Sequence, residues 1–92
     1  MRPGRICVIT RGRDRGKKCV VVSIVDDTGV LVTGPKELNG VKRGRKNILH
    51  LMPLPETLRI RMNSKDETVL AAIEKDGLKD FMKESLRIED AS

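Results

Sequence analysis

Apolar residues in the first part of the chain fall into short runs of strand length. The runs at residues 4–10, 19–25 and 30–33 are rich in Ile and Val. Asp26-Asp27-Thr28-Gly29, between the last two runs, is typical of a tight turn. The pattern therefore predicts one strand followed by a β-hairpin.

Strand patterning continues beyond the hairpin. Gly34-Pro35 ends the third strand, and apolar residues return at residues 47–52. After two prolines, the alternation at residues 58–62 predicts a half-buried strand with two outward arginines. Four or five short strands with no helix between them indicate a small closed barrel.

The periodicity changes after Met62. Ser64 and Glu67 fit a helix-capping box, and Gly77 is placed to end the helix. The apolar positions of this helix and of a second short one are Val69, Leu70 and Ile73, then Leu78, Phe81, Met82 and Leu86. We therefore expect a mainly β fold with C-terminal α structure, in which a barrel spans residues 1–62. Two short helices at residues 63–92 form an appendage packed on the barrel, within a single domain.

Charge is distributed unevenly along the 92 residues. The chain holds 19 Lys and Arg against 13 Asp and Glu, for a net charge of +6. Residues 1–46 contain twelve of the basic residues and four of the acidic ones. This asymmetry is typical of a protein that binds a polyanion, the alternative being a uniformly solvated basic surface.

Two basic runs, each interrupted by glycine, contain nine of the 19 basic residues. They are Arg11-Gly12-Arg13-Asp14-Arg15-Gly16-Lys17-Lys18 and Lys42-Arg43-Gly44-Arg45-Lys46. Each is placed in a loop next to a predicted strand, and guanidinium and ammonium groups match phosphate oxygens. Since Phe81 is the only aromatic residue, stacking of unpaired bases is nearly excluded. The expected ligand is folded or double-helical nucleic acid, gripped through its backbone.

Other chemistry finds little support in the sequence. His50 has no Cys, Asp or Glu at metal-ligand or triad spacing, and the glycine-containing loops do not match a phosphate-binding loop. We expect no enzyme activity, no cofactor, no metal site and no small-molecule substrate. Cys7 and Cys19 lie in apolar runs and are predicted to be buried free thiols. Without a membrane-length apolar stretch or a signal-peptide core, the protein is expected in the cytosol, with no membrane partner.

Residues 4–34 resemble the KOW motif. An apolar strand leads to the loop Gly12-Arg13-Asp14-Arg15-Gly16-Lys17, followed by a second apolar strand, a turn and a short third strand. Many KOW sequences carry a glycine where this chain has Cys19. The motif occurs in several ribosomal proteins and in transcription elongation factors, so it does not choose between them.

The segment from Val30 to Lys36, with further matches up to Leu51, resembles the archaeal form of large-subunit ribosomal protein fourteen, eukaryote type. The resemblance implies an SH3-like barrel with a helical appendage, bound to ribosomal RNA of the large subunit beside neighbouring ribosomal proteins. We expect a monomer when the protein is free. The implied RNA-binding residues are Arg11, Arg13, Arg15, Lys17, Lys18, Lys36, Lys42, Arg43, Arg45 and Lys46. The alternative is a KOW module of a transcription or translation factor that acts through a protein partner.

Overall fold

A computed structural model describes residues 1–87 of the chain. Five antiparallel strands form one sheet in the order β4-β3-β2-β1-β5, and short helices follow. The strands are β1 (Arg5–Ile9), β2 (Lys18–Ile24), β3 (Gly29–Thr33), β4 (Gly44–Asn47) and β5 (Leu51–Thr57), and the helices are α1 (Lys36–Asn39), α2 (Asp66–Lys75) and α3 (Lys79–Lys83). The mainly β prediction with C-terminal helices is confirmed.

The connection between β4 and β5 explains why the sheet curls. These are the two edge strands, yet only a 3₁₀ turn at Ile48–His50 joins them. Such a turn advances roughly 6 Å at about 2 Å per residue. In a flat five-stranded sheet the two edges would lie roughly 19 Å apart, at about 4.8 Å per strand. The sheet therefore curves until its edges approach each other, which gives an SH3-like barrel. The predicted closure is wrong, since β4 and β5 do not pair and the barrel stays partly open.

The central strands β1 and β2 are buried on both faces, because they contribute alternate residues to two apolar clusters. Cys7, Cys19 and Val21 point to the inner cluster, which β3 and Leu51 complete. Val20 and Val22 belong to the outer cluster, shared with α2 and α3. A continuous run of buried β-branched residues is expected where a sheet is covered on both sides.

The C-terminal helices cover the outer face of the sheet. Val69 and Ile73 of α2 and Met82 of α3 are fully buried there. At the end of α2, the amides of Gly77 and Leu78 donate to the carbonyls of Glu74 and Ile73 (3.1 and 2.9 Å), a Schellman arrangement. The predicted stop at Gly77 is confirmed.

The predicted capping box is wrong. The residue that precedes α2 is Lys65, and no side chain caps the helix. The Ser64 hydroxyl instead donates to the carbonyl of Arg61 at 2.6 Å. Ser64 lies one position too early to cap, so its side chain closes the turn before the helix.

Three further differences concern the strands. The second basic run, predicted as a loop, contributes Gly44–Asn47 to β4, and Val30 pairs with Lys46. The predicted strand at residues 47–52 is divided between the 3₁₀ turn and β5. The predicted strand at residues 58–62 is wrong: this segment lies outside the sheet, with Leu58 anchored by an amide bond to the Gly4 carbonyl at 2.7 Å. Leu58 is buried, Ile60 is partly buried against the outer cluster, and Arg59 and Arg61 are exposed, so the alternation of side chains is present without strand pairing.

The two cysteines are confirmed as buried free thiols. They are direct cross-strand partners in β1 and β2, a proximity that the sequence did not reveal. Burial raises the pKa of Cys7 to about 11 and raises that of Cys19 further. Residues 88–92 of the predicted appendage lie outside the described part of the chain.

Candidate nucleic-acid interface

The first basic run forms a tight loop between β1 and β2. The Gly16 amide donates to the Ile9 carbonyl (2.7 Å), the Lys17 amide to the Asp14 carbonyl (2.9 Å) and the Arg15 amide to the Gly12 carbonyl (3.2 Å). These bonds are made by the backbone, so the side chains are left to project outward. Arg11, Arg13 and Arg15 are all exposed.

Asp14 brings the two basic runs together. Its carboxylate lies 3.6 Å from the ammonium of Lys17 in the first run and 4.0 Å from that of Lys46 in the second. Side chains separated by 29 positions in sequence thus share one counter-charge. The first loop and the end of β4 therefore belong to a single surface of the barrel, which we name the basic surface.

The second run is more strongly paired with acidic residues. Arg43 donates to the Asp66 carboxylate (2.9 Å) and to the Ser64 carbonyl (2.8 Å), next to the start of α2. The Arg45 guanidinium contacts both carboxylate oxygens of Asp26, the shorter distance being 3.2 Å. These arginines link β4 to α2 and to the β2–β3 turn.

The pKa of Asp26 reflects its hydrogen bonds from Thr28 and its pairing with Arg45. The pKa of its carboxyl is lowered to about 2, first by a hydrogen bond from the Thr28 amide and then by a hydrogen bond from Arg45. The charged form is thereby favoured. Arg45 is thus held beside the turn by an acid that stays ionised far below neutral pH.

Four of the predicted RNA-binding residues are exposed without a counter-charge in the described part of the chain. Within residues 1–87, the side chains of Arg11, Arg13, Lys36 and Lys42 make neither a hydrogen bond nor an ion pair. Lys36 begins α1, and Lys42 lies two positions before β4. These four cations are available to an external anion.

Lys18 stands apart from the other predicted RNA-binding residues. It is 2% exposed, and its ammonium donates to the carbonyls of Phe81 (2.8 Å) and Glu84 (3.3 Å). The ammonium also lies 4.0 Å from the centroid of the Phe81 ring. Lys18 therefore attaches α3 to the barrel, and we omit it from the basic surface.

Asn39 reinforces the same attachment. Its side-chain amide donates to the carbonyls of Lys18 (2.8 Å) and Met82 (3.1 Å), joining β2 to α3. The Leu86 amide adds a bond to the Gly16 carbonyl at 2.7 Å. Sequence reasoning missed these contacts because their partners lie 21 to 70 positions apart and have no local pattern. Asp14 was also missed, although its place inside the first basic run was a usable signal.

Residues 1–87 contain no side-chain arrangement that supports a catalytic or metal site. His50 lies in the 3₁₀ turn and is partly buried. Among residues 1–87, no three His, Cys, Asp or Glu side chains are grouped so that they could hold a metal ion. In the same part of the chain, no helix has the length and apolar character to cross a membrane.

Similarity to known proteins agrees with this geometry. The KOW motif matches residues 3–34, which include β1, the first basic loop, β2 and β3. A relative from Hyperthermus butylicus is 56% identical over 94% of this chain and 88% of its own length. One from Sulfolobus acidocaldarius is 57% identical over 91% and 88%, and one from Saccharolobus islandicus is 54% identical over 94% and 90%. All three are named large ribosomal subunit protein eL14.

The curled sheet and its glycine-bounded basic loop define the class as a KOW-motif protein with an SH3-like fold. Identity above 50% over nine-tenths of the chain then distinguishes this protein from other members of that class. The chain belongs to the eL14 family of large ribosomal subunit proteins. The family resemblance seen in the sequence is confirmed, as is the expectation of a protein that is not an enzyme.

Proposed function

We propose that this protein is a structural constituent of the large ribosomal subunit and stabilises folded ribosomal RNA through its basic surface. Its family supports the ribosomal part of the proposal, since the relatives carry the name of a large-subunit protein. The contacts would be made to phosphates by nine side chains: Arg11, Arg13, Arg15, Lys17, Lys36, Lys42, Arg43, Arg45 and Lys46.

One observation supports the RNA contact most directly. Arg11 and Arg13 project from the first loop, and Lys36 and Lys42 are exposed at the start of α1 and shortly before β4; none of the four has an acidic partner within residues 1–87. Unpaired surface cations repel each other, so an anion bound among them removes that repulsion as well as adding contacts. Phosphate oxygens of an RNA helix supply such an anion at regular intervals.

The remaining parts of the proposal concern context. The protein would act inside the ribosome, contact neighbouring ribosomal proteins, and exist as a monomer when free. We propose that residues 1–62 form the barrel and residues 63–92 its packed appendage. Val69, Ile73 and Met82, buried against the sheet, support this division of a single domain.

Salt titration of RNA binding tests the proposal. If about six of the nine cations contact phosphates, log affinity for a structured RNA falls with log salt at a slope of roughly −4 to −5. Arg11→Ala with Arg13→Ala should reduce the magnitude of that slope by about 2. Lys75→Ala with Lys79→Ala removes the same charge from the helices and should leave the slope unchanged.

Incorporation into large subunits provides the second measurement. The basic-surface variant should enter reconstituted subunits less well than the helix variant, with both proteins equally folded. A slope near −1, or normal entry of the basic-surface variant combined with exclusion of the helix variant, would contradict the proposal. The protein would then dock through its helical side.

A further inference from the structure

A second group of arginines lies at the opposite end of β1 from the basic surface. There the chain forms an open cleft of about 500 Å³ between the start of β1 and the middle of β5. The cleft is lined by Met1, Arg2, Arg5, Pro53, Leu54 and Pro55. It therefore combines two cations with an apolar floor.

The guanidinium of Arg5 is held in place at this cleft. Its Nη1 donates to the Leu54 carbonyl at 2.8 Å, which leaves most of its five N–H donors unused. Arg2 is exposed. In the described part of the chain neither arginine forms an ion pair, and no lining residue is acidic. The cleft therefore presents two arginines suited to an anion, and no acidic side chain lines it.

The floor of the cleft argues against a protein strand as the ligand. β5 is an edge of the sheet, where an added strand would need backbone N–H donors. Pro53 and Pro55 have none, and proline is tolerated at an edge because its missing donor faces solvent. A ligand must therefore bind through the arginine side chains and the apolar surface.

We propose that this cleft binds a phosphodiester of folded RNA, with the phosphate on Arg2 and Arg5 and the ribose against Pro53 and Leu54. Guanidinium donors match phosphate oxygens, and a sugar edge needs only a shallow apolar support. Arg5 and Ile9, at the two ends of β1, are roughly 13 Å apart at about 3.3 Å per residue. The protein would therefore hold RNA phosphates at both ends of β1. This inference rests on the proposed function.

Arginine-specific modification with phenylglyoxal, read by mass spectrometry of the full chain, tests the two sites independently. The probe is refolded, deproteinised archaeal large-subunit RNA. RNA should slow the modification of Arg2 as strongly as that of Arg11 and Arg13. Arg61 is exposed outside both sites and serves as the internal control.

Variants provide a second readout. Arg2→Ala with Arg5→Ala should lower the magnitude of the salt slope by about 2. Arg2→Ala alone should lower it by about 1 with little effect on stability, since the exposed Arg2 side chain makes no hydrogen bond or ion pair within residues 1–87. Lys75→Ala with Lys79→Ala is the matched control for loss of two charges.

The outcomes separate this inference from the proposed function. Unchanged Arg2 modification and unchanged slopes, with Arg11 and Arg13 still protected, would overturn the cleft proposal alone. Protection of Arg2 without protection of Arg11 and Arg13 would support the cleft and contradict the basic surface. Protection of Arg2 by poly-glutamate but not by RNA would also overturn the cleft proposal, in favour of an acidic protein segment.

Discussion

The two basic runs have similar compositions but different structures. The first is a loop. Its Arg11 and Arg13 side chains are exposed and have no acidic partner in the described chain. The second contributes to edge strand β4: Arg43, just before the strand, is paired with Asp66, and Arg45, within it, is paired with Asp26. The number of basic residues is therefore a poor guide to the charge that a ligand meets. Backbone conformation and nearby acids determine how much of that charge is available.

Acidic partners also give the second run a structural role. Arg43 connects β4 to the segment that begins α2, and Arg45 connects it to the β2–β3 turn. An RNA that used these arginines would have to compete with contacts already present. We therefore expect the first run to contribute more to RNA binding and the second more to stability.

The largest expected effect is a difference in stability loss between alanine substitutions at two glycines of the first run. Both have positive φ (+92° at Gly12 and +90° at Gly16), but a Cβ at Gly16 would collide with the Leu86 carbonyl oxygen, whereas one at Gly12 meets nothing within 4 Å. Gly16→Ala should lower the free energy of unfolding by about 3 kcal/mol or more, since strain and a backbone clash combine. Gly12→Ala should cost only about 1–2 kcal/mol. Urea denaturation of both variants checks this, and equal losses would show that the Leu86 contact is unimportant.

The next largest effect is a difference between two adjacent lysines at the end of the first run, one important for stability and the other for RNA binding. Lys18→Met should lower the free energy of unfolding by about 2 kcal/mol, because the ammonium bonds to Phe81 and Glu84 are lost, and it should leave the salt slope of RNA binding unchanged. Lys17→Met should have the reverse pattern: stability within about 0.5 kcal/mol of the original and a slope smaller by about 1. Denaturation and salt titration on both proteins measure this. A slope change at Lys18 would return that residue to the basic surface.

A smaller difference is expected between paired substitutions in the two runs. Arg43→Ala with Arg45→Ala should cost up to about 1 kcal/mol per ion pair in stability. Its reduction of the salt slope should be smaller than that of Arg11→Ala with Arg13→Ala, which should leave stability within about 0.5 kcal/mol. Thermal melts and salt titrations of the two double variants decide the matter. The comparison between the runs fails if the second pair changes the slope more than the first.

The smallest effect is the pH dependence of the Arg45–Asp26 pair. The pKa of Asp26 in the folded protein is about 2, below its ordinary value of 3.8. A depressed carboxyl pKa stabilises the fold above the unfolded value, and that contribution is lost as the pH falls from about 4 through 2. NMR titration of Asp26 should give a midpoint near 2, and Arg45→Ala should raise it. An unchanged midpoint in the variant would assign the shift to the hydrogen bonds from Thr28.

Sequence reasoning recovered the part of the fold with strong local signals. β-branched runs and the Asp-Asp-Thr-Gly turn located β1, β2 and β3. β4 was missed because an edge strand that reads Gly-Arg-Lys-Asn has no apolar alternation, and its pairing with β3 defines it. β5 was placed too early because prolines suggest a break, although an edge strand tolerates them. α1 was missed because four residues after Pro35 carry too little periodicity.

The candidate site shows the same limit. The sequence shows where the basic residues lie along the chain, yet their exposure and pairing depend on contacts between distant segments. Lys18 and Lys17 are neighbours with the same side chain, and only the position of α3 distinguishes them. Asp14 between two arginines gave a local hint, whereas its contact with Lys46 could not be seen before the barrel was built.

The cross-strand thiols allow the opening of the barrel to be measured by their rate of alkylation. Only a thiolate reacts readily with alkylating reagents, and Cys7 and Cys19 are fully buried with raised pKa values. At neutral pH both are therefore protonated and shielded while β1 and β2 stay paired. Labelling can proceed only through openings that separate these strands or expose the interior of the barrel. The labelling rate of the two thiols therefore reports how often the barrel opens. It can be compared between the free protein and the protein bound to RNA.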